Sequence, residues 1–552
     1  MLKFTLSTAA IGQDAAEWEW NGWAWRSGDD EIMPYLHPAL HPSMITDGAE
    51  TVVVVRELGR GEPAAVPGKP ARVTPDRLRQ TLAGHDGQHL DRTVLHIRAG
   101  ALTVRAGTWA VAPVYLAGDE RALTGSWDPA DLRGAIRAAT LLDREVARLL
   151  SRRHRYGHDT VWSTVHRLTE RSVASWSGGT PSLRYPAAAL HAQPRPLRQG
   201  ADVLSAFEAV LTAAVRRRAE SAHGAVELSG GLDSANVAAG LTASQSAPVT
   251  PAALLIGGSV DQQQRRRRGM MIDSFGLGTD VTVAVADFMP FGPTGTVGEP
   301  LPTTPYSEPW IEAKQAMMSA LAGLGAHVSY GGTGGDELCS LRSAEQAAAP
   351  SKALPDPVWL GPRVAAAVPC SEQRIAPAGI LHASSLLAFA SRAPQFLRNG
   401  LWPVSPMCDP EVIRFCESLP RPWRENKTVQ RLRLARLGLP LETYSEPRDD
   451  PREALSTAIR VYVVPYLRRL LRSGGILIDS GYVAADGLTR MLDTIERLGN
   501  FRQIDRSLFL IASVERGLRA CAGIGEIPRT GQPPARTRAD RAETEAAHGI
   551  ES

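Results

Sequence analysis

Over the first 195 residues the apolar positions fall in short runs cut by glycine. Thr51-Val52-Val53-Val54-Val55 is a β-branched run between Gly48 and Gly59, which predicts a strand. Residues 94–97 and 102–104 are apolar runs on either side of Gly100 and predict a hairpin. Trp18, Trp20, Trp23 and Trp25 alternate around Asn21-Gly22, a dipeptide that favours a tight turn between strands. Packing on strand faces accounts for these tryptophans better than a peptide-binding face does. The stretch 131–154, rich in Ala, Leu and Arg, predicts a helix.

The pattern changes beyond Gln193-Pro194-Arg195-Pro196, which reads as a linker. Asp202 stands where a helix cap belongs, and Val203, Leu204, Phe207, Val210, Leu211 and Ala214 follow at helical spacing. Apolar runs over 225–228, 252–256, 281–285 and 327–330 then alternate with helical segments. That alternation predicts an α/β unit with a parallel sheet. After about residue 375 helical spacing dominates, and from Ile527 the composition predicts a disordered tail. The expected organisation is therefore 1–195, 196–526 and a tail over 527–552, with no internal repeat.

A chain of 552 residues has room for two to four domains at roughly 100–200 residues each. Its 61 basic and 58 acidic residues leave +3, which argues against nucleic acid as a partner. Neither a membrane-spanning apolar run nor the three-part pattern of a signal peptide is present, so the expectation is a cytoplasmic protein without a membrane partner. Cys339, Cys370, Cys408, Cys416 and Cys521 form no CxxC pair, which disfavours disulfides and structural zinc.

The sharpest chemical signal is Glu227-Leu228-Ser229-Gly230-Gly231-Leu232-Asp233-Ser234, set between a predicted strand and a predicted helix. Gly230 and Gly231 let backbone approach an anion, and Ser229, Ser234 and the free N–H groups of a helix start can cradle phosphate. Asp233 would repel a bare phosphate, so its presence implies a bridging divalent cation, Mg²⁺. No Gly-Lys-Ser/Thr follows, so this is not a Walker loop.

This string resembles the pyrophosphate loop of the N-type ATP pyrophosphatases, which cleave ATP between the α and β phosphates and form adenylated intermediates. Tyr330-Gly331-Gly332-Thr333-Gly334-Gly335-Asp336-Glu337-Leu338 is similar to the second metal-binding loop of asparagine synthetase and β-lactam synthetase. Trp402-Pro403-Val404-Ser405-Pro406-Met407-Cys408-Asp409-Pro410, with Ser418-Leu419-Pro420 after it, resembles a further stretch of that synthetase domain. The resemblance implies ATP and Mg²⁺ as cofactors, with Asp233 and Asp336 as metal ligands. It implies an ATP site of Ser229, Gly230, Gly231, Leu232, Asp233, Ser234, Ile256, Gly334 and Gly335. Lys427, before a helix with Arg431 and Arg433, matches a lysine that meets phosphate and developing charge.

Residues 104–115 resemble part of the glutaminase domain of the same family, which implies a degenerate, Ntn-type αββα domain ahead of the synthetase domain. That domain's nucleophile is an N-terminal cysteine, and position 2 here is Leu2. Glutamine is therefore not expected as the nitrogen source, and the amine must belong to the substrate. Thr333 stands where β-lactam synthetase has tyrosine and asparagine synthetase glutamate, which leaves the general base open.

Three features are similar to the macrolactam synthetases (cyclases) of lasso peptide biosynthesis. They are Asp261-Gln262-Gln263 with Arg265, Arg266, Arg267 and Arg268, then Ser307-Glu308-Pro309-Trp310, then the WPxSP string at 402–406. The implied reaction joins an Asp or Glu side chain of a leader-free core peptide to its N-terminal amine, releasing AMP and pyrophosphate. A leader peptidase and a leader-recognition protein are implied partners, and a small-molecule amide ligase is the alternative. Four consecutive arginines cover every face of a helix, so most of them are expected to be solvated. Glu308 is read either as orienting the peptide amine or as a helix cap.

Overall fold

The computed structural model describes residues 1–12, 17–64, 66–83, 90–218, 223–245, 247–293, 303–340, 357–445, 452–498 and 502–525. The tail predicted over 527–552 lies outside them.

Among the described residues the chain forms a mixed α/β fold with three sheets. Two seven-stranded sheets come from the first 184 residues. The first runs in the order His166–Arg167, Tyr115–Gly118, Ala122–Ser126, Leu2–Ser7, Asp30–Pro34, Trp25–Ser27, Glu19–Trp20. The second runs Ser182–Arg184, Val173–Trp176, Ala101–Ala106, Arg92–Arg98, Thr51–Glu57, Leu40–Thr46, Ala71–Arg72. Their inner faces share one core, with Phe4, Leu6 and Ile32 from one sheet and Val53, Val55, Leu95 and Val104 from the other. The unbroken valine run is explained by its second face. Val52 and Val54, with Val94, pack under Leu78 of the helix Pro75–Ala83, so this strand is covered on both sides.

Two readings need correction. The helix expected over 131–154 is broken into Arg133–Ala138 and Asp143–Leu150. Leu141 pairs with Trp162 as an isolated bridge, and the Thr140 N–H donates to Ser163 Oγ at 3.2 Å. These contacts hold the backbone extended between the two pieces. The tryptophan hairpin exists, with Trp20 opposite Trp25, but its turn spans 21–24 because Asn21 Oδ1 accepts from the N–H groups of Trp23 and Ala24. Trp18 and Trp25 are buried and Trp23 is exposed.

The third sheet is parallel, ordered Val281–Ala284, Thr250–Leu255, Gly224–Glu227, Val328–Tyr330, Trp402–Val404. Four of these strands lie where the sequence places them. The fifth falls in the stretch read as helical, and Trp402 fixes it there: its indole is buried and donates to Glu57 Oε1 at 2.8 Å. Helices flank the sheet, among them Val203–Arg216, capped by Asp202 through the Ser205 N–H, and Leu232–Thr242.

The boundary near residue 195 is not a gap in packing. Glu57, 1 % exposed, accepts from Arg218 Nε at 3.0 Å as well as from Trp402, which ties the second antiparallel sheet to the parallel one. Ile136, Val146 and Leu150 share a core with Leu467, Phe509 and Leu518 of the last helices. No helix among the described residues is long and apolar enough to cross a membrane.

Candidate active site

The parallel sheet starts with Gly224–Glu227, continues outward on one side to Thr250–Leu255 and Val281–Ala284, then returns to the other side for Val328–Tyr330. Strand order therefore reverses beside the central strand. Loops leaving two neighbouring strands in opposite directions open a crevice at their carboxyl ends, which is where ligands bind in open α/β sheets. A cleft of about 490 Å³ lies there, lined by Ser229, Asp233, Ile256, Thr333, Asp336 and Lys427, among others.

The first loop is tied to itself before the helix Leu232–Thr242 begins. Ser234 Oγ accepts from the Ser229 N–H at 3.2 Å and donates to the Gly231 carbonyl at 3.1 Å, while Ser229 Oγ accepts from the Gly231 N–H. The two hydroxyls thus shape the loop, and the first amides of the helix, which have no intrahelical partner, could meet an anion. The second loop presses against the first. A Cβ on Gly335 would overlap the Asp233 carboxyl carbon, and one on Gly332 would lie 2.8 Å from the Ser234 nitrogen. Glycine is required at both positions because the second loop lies against the Asp233 side chain at Gly335 and against the Asp233–Ser234 backbone at Gly332.

That contact brings the two predicted metal ligands together, and Lys427 joins them. Its Nζ lies 2.5 and 2.7 Å from the Asp233 carboxylate oxygens and 2.6 Å from Asp336 Oδ1. Lys427 is buried, whereas Asp336 is largely exposed. Burial pushes the Asp233 carboxyl up from its ordinary value; Lys427 opposes this and the like charge of Asp336 adds to it. Asn426 and Lys427 have φ of 52° and 56°, two successive left-handed residues just before the helix Thr428–Arg436. Such strain persists only where surrounding contacts enforce it, and here it accompanies the ammonium's reach into the cleft.

One ammonium within hydrogen-bond range of both carboxylates shows that the pair can share a cation. No group of three or more His, Cys, Asp or Glu suited to a metal occurs among the described residues. Two carboxylates without further protein ligands fit Mg²⁺ arriving with phosphate oxygens, not an all-protein cage.

A residue the sequence analysis passed over holds the two sides of the cleft. Gln264, 1 % exposed, donates to the carbonyls of Ser229 and Leu254 and accepts from the Ile256 N–H at 2.9 Å. It locks the first glycine loop to the turn carrying Ile256. Gln264, Arg267, Arg268 and Met271 are the buried positions of the helix Asp261–Phe275, spaced i, i+3, i+4, i+7. That spacing is the signal that was available.

The arginine run is thus half interior. Arg265 and Arg266 are exposed and pair with Asp261 and Glu442. Arg267 donates to the Thr443 carbonyl, and Arg268 bonds the Leu228 carbonyl and Asp280. Glu308 is neither a cap nor free to meet an amine. The helix Ile311–Gly323 starts without a side-chain cap, and the Glu308 carboxylate is paired with Lys314 and with Arg392 Nε. Burial alone would raise its carboxyl; the two cations hold it well below the usual range. Arg392 also donates to Thr333 Oγ1 at 3.3 Å.

Gly334 faces away from this cleft into a larger cavity of about 840 Å³, also bounded by Tyr156, Leu190, Leu338, Ile380 and Met407. The same loop walls both spaces. The five cysteines are free thiols, and burial pushes Cys339 and Cys408 up to about 12, so neither supplies a thiolate at neutral pH. No model of a known protein family matches the chain, and no curated protein matches it.

Proposed function

We propose that the protein is an AMP-forming, ATP-dependent amide ligase. The observation that carries this reading is the meeting of Asp233 and Asp336 on a single cation beside a strand–glycine loop–helix anion site. In this reading a substrate carboxylate attacks the ATP α-phosphate, pyrophosphate leaves, and an amine then displaces AMP from the acyl-adenylate. Asp233 and Asp336 hold Mg²⁺, which supplies charge neutralisation at the phosphates. The amides at the start of Leu232–Thr242 bind the pyrophosphate portion, Gln264 keeps that loop rigid, and Lys427 stabilises charge that grows as the phosphate bond breaks.

At finer grain we propose the macrolactam synthetase reaction of lasso peptide biosynthesis, carried out in the cytoplasm. The carboxylate and the amine would belong to one leader-free core peptide, an Asp or Glu side chain joining the N-terminal amine. A leader peptidase and a leader-recognition protein would be its partners. The two antiparallel sheets with their covering helices are read as an Ntn-type, glutaminase-like αββα domain whose nucleophile position is an apolar core residue, Leu2. The parallel-sheet unit is read as an asparagine synthetase-like domain. The 840 Å³ cavity beyond the shared loop supports a substrate larger than an amino-acid derivative.

The test is incubation with ATP, Mg²⁺ and synthetic peptides that carry a free N-terminus and one acidic residue, moved in turn to successive positions. The expected products are AMP, pyrophosphate and a peptide lighter by one water that resists carboxypeptidase. Formation of ADP and orthophosphate refutes the ligase reading. Turnover of free amino-acid derivatives alone replaces the peptide with a small molecule.

A further inference from the structure

Thr333 is a weak base, and its hydroxyl is held by Arg392, so the proton of the attacking amine needs another acceptor. The acceptor must be an ionised group that faces the cleft and is not already committed. Asp233 and Asp336 are bridged by Lys427, and Glu308 is paired twice. Glu337 is bonded by Ser384.

Glu227 meets the requirement. It is the last residue of the central parallel strand, at the point where strand order reverses, and lines the cleft with Asp233, Thr333, Asp336 and Lys427. It is partly exposed, and its carboxylate makes no hydrogen bond or ion pair with any described residue. A Cβ at Gly331 would lie 3.3 Å from Glu227 Oε1, which places the carboxylate against the root of the second loop, next to Thr333. Lys314 and Arg392 both feel its charge from neighbouring helices, but each is directed to Glu308. Neither occupies Glu227.

A second observation concerns the space behind it. Glu227 also borders a void of about 20 Å³, lined by Ser329, Thr333, Arg392 and Ser405, by Phe389 and Phe396, and by Val111 of the loop between Ala101–Ala106 and Tyr115–Gly118. Ser329 Oγ is buried and has no partner among the described residues. A void of this size has room for one water molecule, with Glu227, Ser329, Thr333 and Ser405 in its mixed polar and apolar lining.

We propose that Glu227 is a catalytic residue of the amide-forming step: it receives the amine's proton and orients the nitrogen toward the acyl-adenylate. This rests on the ligase reading above. The neutral amine's lone pair forms the C–N bond, and the C–O bond to the adenylate phosphate breaks with its electron pair leaving on AMP. The proton released from nitrogen passes to a Glu227 oxygen and from there to solvent. No metal ligand and no part of the phosphate loop takes part in that transfer.

The two half-reactions separate this role from the others. The substrate is the member of the synthetic peptide set that the native protein converts. Adenylation is read as pyrophosphate exchange into ATP, and as trapping of the activated carboxylate by hydroxylamine. Glu227→Gln keeps the side chain's size and polarity. It is expected to retain exchange and hydroxamate formation within about threefold, and to lose ring closure by about 10²–10⁴-fold, as removal of a general base does. Raising the pH should recover part of the loss as more amine arrives unprotonated, whereas Glu227→Asp should show intermediate closure. A thermal shift with Mg²⁺-ATP equal to that of the native protein shows the variant folded. Ring closure at the native rate overturns the proposal, and so does equal loss of both half-reactions, which would assign Glu227 to the ATP site. If the native protein shows no exchange with any peptide, the ligase reading falls first, and that failure is seen before any variant is made.

Discussion

In the structure Lys427 occupies the place between two carboxylates that the proposed mechanism assigns to a metal ion, and replacing it tests that arrangement without any substrate. Lys427→Met keeps most of the aliphatic stem and removes the charge. The bare attraction at the observed 2.6 Å is about 6 kcal/mol for each carboxylate at an effective dielectric of about 20. Desolvation of the ions offsets much of this. The Asp336 side chain is 74 % exposed, so its share falls to at most about 1 kcal/mol. The Asp233 side chain is 21 % exposed, so its share is less than the cost of about 3–5 kcal/mol for breaking a fully buried pair, and it falls further because the carboxyl can take up a proton. A net loss of about 2–4 kcal/mol follows, or roughly 4–10 °C in the melting point of the unit that contains the parallel sheet.

Scanning calorimetry in EDTA and in millimolar Mg²⁺ distinguishes this from simple loss of packing. In EDTA the variant should melt lower by that amount. With Mg²⁺ it should recover more than the native protein gains, because the metal no longer competes with a tethered ammonium. Direct calorimetric titration should show tighter Mg²⁺ binding to Lys427→Met than to the native protein when ATP is absent. With ATP and substrate, kcat should nonetheless fall, since the charge is then missing where phosphate charge develops. An unchanged melting point in EDTA, or Mg²⁺ affinity that does not rise, refutes the shared-cation argument.

Four further outcomes are expected. Asp233→Ala and Asp336→Ala should each abolish pyrophosphate exchange with the fold retained, and exchange by either variant would remove it from the metal site. Gln264→Leu leaves two carbonyls and one amide of the cleft without partners, so it should cost about 2–4 kcal/mol and raise the KM for ATP, which urea denaturation and exchange kinetics would measure. Burial raises the Glu170 carboxyl from 4.5 to about 7, so the folded state favours its acid form, and that stability is present below pH 4.5 and lost as pH rises through 7; Glu170→Gln should flatten a decline of about 3 kcal/mol between pH 5 and 8, read as melting points across that range. Glutamine should yield no glutamate coupled to ATP cleavage, since Leu2 is an apolar residue fully buried within its strand, and coupled release would reinstate an ammonia source.

What the sequence made legible was local. Four parallel strands, the Asp202 cap and the two glycine loops all declare themselves within windows of about ten residues, because alternation, capping and turn chemistry act over that range. The loops also raised the expectation that their aspartates hold a cation, which the proposed function carries. The strand Trp402–Val404 was not legible, because three residues with a proline carry no periodicity; its pairing with Val328–Tyr330 makes it a strand, and Glu57, 345 residues away, holds its indole. The arginine run misled for the same reason: Arg267 and Arg268 are interior only because Thr443, Leu228 and Asp280 offer them acceptors.

The site shows where local reading ends and tertiary placement begins. Asp233 and Asp336 stand at the ends of two strands that are neighbours in space but separated in sequence by helices and two further strands. A motif search yields each carboxylate with its chemistry, but only the reversal of strand order places them on one cation. Glu227 makes the contrast sharper. As the residue two before Ser229 of the first glycine loop it reads as the polar end of a strand, and nothing about its neighbours marks it. Its significance comes from subtraction, since among the described residues Asp233 and Asp336 are engaged by Lys427, Glu308 by the Lys314–Arg392 pair and Glu337 by Ser384. A carboxyl group without a protein partner beside a cleft keeps its hydrogen-bonding capacity for whatever enters. A ligand that brings a proton donor meets that capacity, which is the physical reason to look for an amine there.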